Sequence, residues 1–170
     1  TTASQTTPAD PTAGAEAAPD EAADAGGTKP TLVLLVRHGK TPTTGAKLPG
    51  RAPGLHLSPD GVEQAAAAAQ RIVSLDNVVA VYASPLERTQ ETAAPIAAAL
   101  GLAVQTEPGL VEADFGTWTG AELKDLFKLP EWKQVQQAPS TFRFPQGESF
   151  SEMQLRIANA VARIVAAHPG

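Results

Sequence analysis

Two arginines and a histidine stand where a sheet would bring their side chains together around an anion. Arg37 and His38 directly follow the apolar run Leu32–Val36, and Arg88 lies in the segment ASPLERTQETA, just after a second apolar run, Val78–Ala83. In open α/β sheets ligands bind at the carboxyl ends of the strands. Forked guanidinium groups suit the oxygens of phosphate in particular, and a helix N-terminus also favours an anion. If the two runs are neighbouring strands, the sequence therefore predicts a phosphate site.

Strands and helices alternate along the chain in a way that indicates an α/β fold. The runs Leu32–Val36 and Val78–Ala83 are continuously apolar, as in parallel strands buried on both faces, and LAVQT (102–106) is a weaker third strand. Three helices are predicted from their capping residues, namely Ser58 with Pro59, Ser84 with Pro85 and Glu87, and Ser149 with Glu152. We expect a three-layer sandwich with a mostly parallel central sheet, whose last helix runs toward Ala167.

The composition divides the chain into a tail and one domain. Residues 1–29 contain no Leu, Ile, Val, Met, Phe, Tyr or Trp, so they are predicted to be a disordered tail or linker. Residues 30–170 hold 12 basic and 13 acidic residues, and this near neutrality gives no case for a nucleic-acid or anionic membrane partner. The sequence has no cysteine, which excludes disulfides and thiolate metal sites. We expect a cytoplasmic protein, because no export signal is present.

Most of the aromatic residues are concentrated in one long connector. Seven of the eight aromatic side chains lie within residues 115–150. A connector of this length and composition is predicted to form a packed lid or subdomain, at about 113–148, rather than a flexible loop.

Four ordered segments of this chain resemble the histidine phosphatase superfamily, whose fold is that of phosphoglycerate mutase. They are LVLLVRHGKT, LSPDGVEQA, ASPLERTQETA and LVEADFGTWTG. The resemblance covers residues 31–170 almost continuously, and the later stretch PEWKQVQQAPSTFRFPQGESFSEMQLRI is similar to a bacterial subgroup of phosphomutases and broad phosphatases. It implies a metal-independent enzyme that needs no cofactor. The apolar aromatic residues of the connector and the near-neutral charge suggest a small phosphorylated substrate rather than a polyanion.

The resemblance also implies a role for each of several residues. His38 is the expected nucleophile, which becomes phosphohistidine, and Glu112 is expected to protonate the leaving oxygen. Arg37 and Arg88 are expected to hold the phosphate oxygens. Such an arrangement is chemically reasonable, because phosphoryl transfer depends mainly on positioning and on electrostatic stabilisation.

The chain departs from the family pattern at several points. Many members have an asparagine where Thr44 stands, so the Thr44 hydroxyl is the expected substitute contact to the phosphate. Arg51 lies in the loop that usually faces substrate and is a further candidate phosphate ligand. The family also has a second pocket histidine, on a strand after the last helix, whereas this sequence stops at Gly170 and His168 stands too early. We therefore expect a fragment that lacks one or more C-terminal strands and whose activity is impaired.

Three functions are consistent with these residues. The first is a phosphomonoester hydrolase that acts through phosphohistidine. The second is a phosphomutase of the same fold, which returns the phosphoryl group to its substrate. The third is a non-catalytic module that binds phosphate. The identity of the substrate and the oligomeric state do not follow from the sequence.

Overall fold

A computed structural model describes residues 29–170, so the predicted tail lies outside the described residues except for Lys29. Among these residues the helices and strands follow one another as α1 (Pro59–Val73), β1 (Val81–Ala83), α2 (Glu87–Leu100), β2 (Val104–Thr106), α3 (Leu123–Leu126), α4 (Pro130–Gln137) and α5 (Phe150–Ala167). Three short 3₁₀ turns lie between β2 and α5, at Pro108–Leu110, Gly116–Trp118 and Pro139–Thr141.

The two strands form a parallel pair, which confirms the α/β class. Val81 pairs with Val104, Tyr82 with Gln105 and Ala83 with Thr106. The crossover between them is helix α2, as parallel pairing requires. Both predicted strand segments therefore exist, although each is shorter than the apolar run that contains it.

A small-residue core joins helices α1 and α2 to the sheet. Its buried side chains are Ala69, Ile72, Val81, Ala83, Ala93, Ile96 and Ala97. Alanines on both helices permit a close approach, and burial of each isoleucine contributes about 1.5–3 kcal/mol. This core holds α1 and α2 side by side, at the point where the loop after residue 36 meets them.

The prediction for the first apolar run is wrong. Residues 32–36 are not a strand, and Leu32 and Leu35 are 82% and 86% exposed instead of buried. The segment makes no backbone hydrogen bond within residues 29–170, and β1 pairs only with β2 there. Aliphatic residues favour an extended backbone, but a strand also needs a partner backbone at the right distance, which residue types do not specify.

Two of the three predicted helix starts are confirmed. The Ser58 side chain caps α1, with Pro59 in the first turn. Ser149 and Glu152 form a complete capping box at α5. Hydrogen bonds to the Glu152 carboxylate, first from Arg143 and then from the Ser149 backbone, lower the pKa of Glu152 to about 2.

The third predicted start is wrong by two residues. Helix α2 begins at Glu87, with Leu86 in the capping position and no side-chain cap. The Ser84 hydroxyl is bound instead to the Thr89 hydroxyl, at 2.9 Å. Arg88 is consequently the second residue of α2.

The aromatic side chains of the connector form a second packed cluster. Phe115, Trp118, Phe142 and Phe144 are buried in it, and Trp132 and Phe150 pack against it. The rings of Phe115 and Phe144 meet edge to face with centroids 4.8 Å apart. Phe127 contacts Trp132 but is more than half exposed.

No helix in residues 29–170 combines the length and the apolar character that crossing a membrane would need. The same residues hold no group of three or more histidine, aspartate or glutamate side chains that could bind a metal ion.

Candidate active site

The loop after residue 36 opens onto a cavity of about 240 Å³. Its lining consists of Arg37, His38, Gly39, Lys40, Thr44 and Gln64. Three of the six predicted site residues therefore meet at this cavity, namely Arg37, His38 and Thr44. The other three, Arg51, Arg88 and Glu112, are not part of its lining.

The imidazole of His38 is held in one tautomer by its own backbone neighbour. Its Nδ1 lies 2.7 Å from the carbonyl oxygen of Gly39. Because a carbonyl can only accept, Nδ1 must carry the proton, which leaves the lone pair of the neutral ring on Nε2. The half-buried ring thus has one nitrogen anchored and the other available as a nucleophile.

Gly39 is required for a close contact between the histidine loop and helix α1. A Cβ atom at residue 39 would lie 2.4 Å from the Gly61 carbonyl oxygen, and one at residue 61 would lie 2.0 Å from the Lys40 carbonyl oxygen. Both glycines therefore allow two backbones to touch. This contact determines where His38 stands relative to α1.

Replacing Gly39 by alanine should lower the free energy of unfolding by about 1–3 kcal/mol, because one backbone must move to relieve the overlap. Urea denaturation measures the change. Ala66→Ser, at an exposed position of α1, is the control and should change that free energy by less than about 0.5 kcal/mol. Equal stability of Gly39→Ala and the control would contradict the close packing.

Arg88, on α2, is 1% exposed. Its Nη2 donates to the carbonyl oxygen of Gly50 at 3.0 Å. The other two guanidinium nitrogens, Nε and Nη1, are buried and have no hydrogen-bond partner among residues 29–170. Burial lowers the pKa of Arg88, whereas the charges of Glu112 and Glu87 act in the opposite direction.

Thr92 links the loop of His38 to helix α2, and its role was not predicted. Its buried hydroxyl accepts a hydrogen bond from the Gly39 N–H at 3.1 Å and donates to the Arg88 carbonyl at 2.7 Å. The residue after His38 is thereby tied to the turn of α2 that carries Arg88. The position of Thr92, four residues after Arg88 on one helix face, is the only sequence signal that could have suggested this role.

Glu112 lies on the connector that follows the turn Pro108–Leu110, and its side chain is half-buried. Its Oε1 accepts from the Ala113 N–H at 2.8 Å. Its charge acts on both Arg88 and Arg156 and favours their protonated forms.

Arg51 and Thr44 are both already engaged within the protein. The Arg51 guanidinium donates to the Glu112 carbonyl oxygen at 2.7 Å and to Glu148 at 3.0 Å. The Thr44 hydroxyl accepts from the Thr41 N–H at 2.9 Å, and it lines the cavity at the same time. Their predicted contacts with phosphate stay predictions.

The other two histidines of the chain do not line the cavity. His56 pairs with Glu91 on α2, and the Nε2 of His168 lies 3.0 Å from the Tyr82 hydroxyl.

The pair of His56 and Glu91 predicts a pH-dependent stability. The hydrogen bond between them raises the pKa of His56 above 6.5 and lowers the pKa of Glu91 below 4.5; nearby Glu87 adds to the first effect and opposes the second. The stabilisation by His56 is complete below pH 6.5 and is lost as the pH rises through its folded-state pKa. The part due to Glu91 is present above pH 4.5 and is lost as the pH falls through its folded-state pKa.

The melting temperature of the wild type should therefore exceed that of His56→Gln most clearly between pH 4.5 and 6.5. The difference should shrink toward pH 9. Calorimetry across this range measures the difference. In a chain that already carries Glu91→Gln, replacing His56 by glutamine should no longer cause it. A gap that is constant with pH would contradict the charged pair.

Comparisons with known proteins bear on residues 33–170, which match the family model described as histidine phosphatase superfamily (branch 1). The uncharacterized protein Rv0525 of Mycobacterium tuberculosis is 54% identical over 83 residues, which are 49% of this chain and 41% of that protein. Phosphoserine phosphatase 1 of Hydrogenobacter thermophilus is 32% identical over 142 residues, which are 80% of this chain and 65% of that protein. The chain thus spans less than two thirds of the length of these curated relatives.

Among solved structures, the mycobacterial glucosyl-3-phosphoglycerate phosphatase Rv2419c has a TM-score of 0.68 to this chain at 28% identity. The alignment covers 78% of this chain and 62% of that one.

Proposed function

The chain belongs to the histidine phosphatase superfamily, and from this premise we propose that it is a phosphomonoester hydrolase that acts through a phosphohistidine intermediate. Its substrate is a small phosphorylated metabolite. The names of the relatives suggest phosphoserine and glucosyl-3-phosphoglycerate as the first compounds to try.

In the first step, the Nε2 lone pair of His38 attacks the phosphorus atom of the ester. The new N–P bond forms as the P–O bond to the alcohol breaks, and the carboxylic acid of Glu112 gives its proton to the leaving oxygen. Arg37 and Arg88 balance the charge on the phosphoryl oxygens throughout.

In the second step, water attacks the phosphohistidine. The Glu112 carboxylate accepts a proton from that water, the N–P bond breaks, and inorganic phosphate leaves. His38 and Glu112 are thereby returned to their starting protonation states, and no oxidant or further reactant is needed.

The observation that carries this proposal is the guanidinium group of Arg88. A buried cation with two unpartnered N–H-bearing nitrogens is costly, because each such group has lost its water without a replacement. An anion with several acceptor oxygens would satisfy both nitrogens together. Thr92 bonds to the backbone of Arg88 and to that of Gly39, next to His38, and this link supports a common site for the anion and the nucleophile.

The experiment is to trap the phosphoenzyme. The protein is mixed with a ³²P-labelled monoester such as phosphoserine, quenched in alkali and separated from free label. A phosphohistidine is stable in base and labile in acid, so a base-stable, acid-labile label on the protein is the expected result. Release of inorganic phosphate from a panel of monoesters is measured in parallel.

Each remaining hypothesis corresponds to a different outcome. Isomerisation of a monophosphate in the presence of a bisphosphate primer, without phosphate release, would favour the mutase. Neither label nor phosphate release, combined with saturable binding of inorganic phosphate, would leave only the non-catalytic binding module.

A further inference from the structure

A single carboxylate, that of Glu148, organises the segment that carries Glu112. Its side chain is only 13% exposed. Arg156 donates to it from Nε at 2.9 Å and from Nη2 at 2.8 Å, and Arg51 donates from Nη2 at 3.0 Å. The backbone N–H of Asp114 donates a fourth hydrogen bond, at 3.2 Å. These bonds come from three separate parts of the chain.

Arg51 and Arg156 also donate hydrogen bonds to backbone carbonyl oxygens at and just before Glu112. The Nε of Arg51 donates to the carbonyl oxygen of Glu112 at 2.7 Å. The Nη1 of Arg156 donates to the carbonyl oxygens of Gly109 and Val111, each at 2.8 Å. Charge-assisted bonds of this kind are stronger and more directional than neutral ones.

The backbone of the same two segments is also joined directly. The Glu148 N–H donates to the Asp114 carbonyl oxygen at 2.8 Å. A Cβ atom on Gly147 would lie 2.3 Å from that oxygen, so the two backbones are in contact. Residues 109–114 are therefore held at Gly109, Val111, Glu112 and Asp114 by Glu148 and the two arginines bound to it. The Glu107 side chain adds one further bond, from the Gly109 N–H.

We propose that Glu148 is a positioning residue, which holds Arg51 and Arg156 so that they fix the backbone around Glu112 and aim its carboxyl group at the leaving oxygen. Glu148 does not contact the substrate. The catalytic part of this inference rests on the proposed function. The ionised state that the role needs is favoured, because the hydrogen bonds from Arg156 lower the pKa of Glu148 and the nearby charge of Arg51 acts in the same direction.

The first test is Glu148→Gln, which keeps the size of the side chain and removes its charge. Glu152→Gln is the matched control, because Glu152 also pairs with an arginine, Arg143, near the start of α5, but does not hydrogen-bond to residues 109–114. Both variants are compared with the wild type well below their melting temperatures.

A proton donor matters most when the leaving group is a poor one. For an alkyl ester such as phosphoserine, Glu148→Gln should lower kcat/KM, which reports on the formation of the phosphohistidine, by about 10- to 100-fold, since small displacements of a reacting group have effects of this size. For p-nitrophenyl phosphate, whose leaving group needs no proton, the loss should be less than about threefold. Glu148→Gln should bind inorganic phosphate with the same dissociation constant as the wild type. The control Glu152→Gln should match the wild type in each of these measurements.

The second readout does not depend on turnover. Amide hydrogen exchange over residues 109–114 should become about tenfold faster or more in Glu148→Gln, whereas exchange around buried Trp118 should not change. Unchanged exchange in this segment would overturn the proposal whatever the activity. If exchange became faster but activity fell equally for both esters, the proposed link between Glu148 and Glu112 would be wrong.

Arg51→Lys is a second variant with a milder change. It retains a positive charge but loses the Nε bond to the Glu112 carbonyl oxygen. The proposal expects the same dependence on the leaving group, with unchanged phosphate affinity. A weaker affinity for phosphate with equal losses for both esters would make Arg51 a phosphate ligand and contradict its part in this cluster. If the wild type itself releases no phosphate, the proposed function fails, and the exchange measurement still decides whether Glu148 orders the segment.

Discussion

Replacing His38 by alanine should eliminate the base-stable label and lower kcat/KM for phosphate release by roughly 10⁴- to 10⁶-fold, the range seen when an enzyme loses its nucleophile. The physical reason is that no other imidazole lines the cavity, since the other two histidines of the chain contact Glu91 and Tyr82. The labelling assay and steady-state release of phosphate measure both effects.

The stability of this variant should change little. The Nδ1 bond of His38 goes to the adjacent Gly39, so its loss separates no distant parts of the fold. We expect a change in the free energy of unfolding of less than about 1 kcal/mol. His56→Gln is the matched control, because it removes an exposed histidine that does not line the cavity, and it should keep the label. A His38→Ala protein that still becomes labelled would exclude His38 as the nucleophile.

Replacing Arg88 by methionine should separate activity from stability. The variant loses two donors that we assign to the phosphoryl oxygens, and each such donor is worth about 10²- to 10³-fold in kcat. We therefore expect kcat/KM to fall by about 10³-fold or more, with a large loss of affinity for inorganic phosphate. Steady-state kinetics and calorimetric titration of phosphate measure the two quantities.

The free energy of unfolding should respond much less than the activity. Arg88→Met removes one hydrogen bond, to the Gly50 carbonyl oxygen, and leaves that oxygen unpaired, at a cost of about 1–3 kcal/mol. It also removes the desolvation cost of a buried cation, and replacement of buried charges by apolar side chains is often neutral or stabilising by about 1–4 kcal/mol. These terms oppose each other, so we expect a net change within about 2 kcal/mol.

Arg88→Lys is the companion variant. It retains the charge but loses the forked geometry, so it should recover only part of the phosphate affinity. Unaltered phosphate affinity in Arg88→Met would show that the buried guanidinium does not bind the anion. A loss of stability well above 3 kcal/mol would show that the arginine is primarily structural.

Two of the helix starts were predictable from the sequence because their causes are local. Ser58 with Pro59 and Ser149 with Glu152 start helices through bonds that span three residues, and both starts are confirmed. The α/β class followed from the alternation of apolar runs and helices. The neighbours Arg37 and His38 had to share one loop, and they line one cavity.

Contacts between distant segments were decided by the tertiary structure. Whether Leu32–Val36 pairs as a strand depends on a partner backbone, and its residue types alone led to the wrong prediction. Thr92 reaches Gly39 across 53 positions, and Arg51 reaches Glu148 across 97. The hydroxyl of Thr92 on α2 and the carboxylate of Glu148 just before α5 each have many possible partners. Only the packing of α1, α2 and α5 selects among these partners. The residue types were enough to suggest the proposed chemistry. The hydrogen bonds that join residues 109–112 to Arg51, Arg156 and Glu148 are long-range contacts that no local pattern encodes.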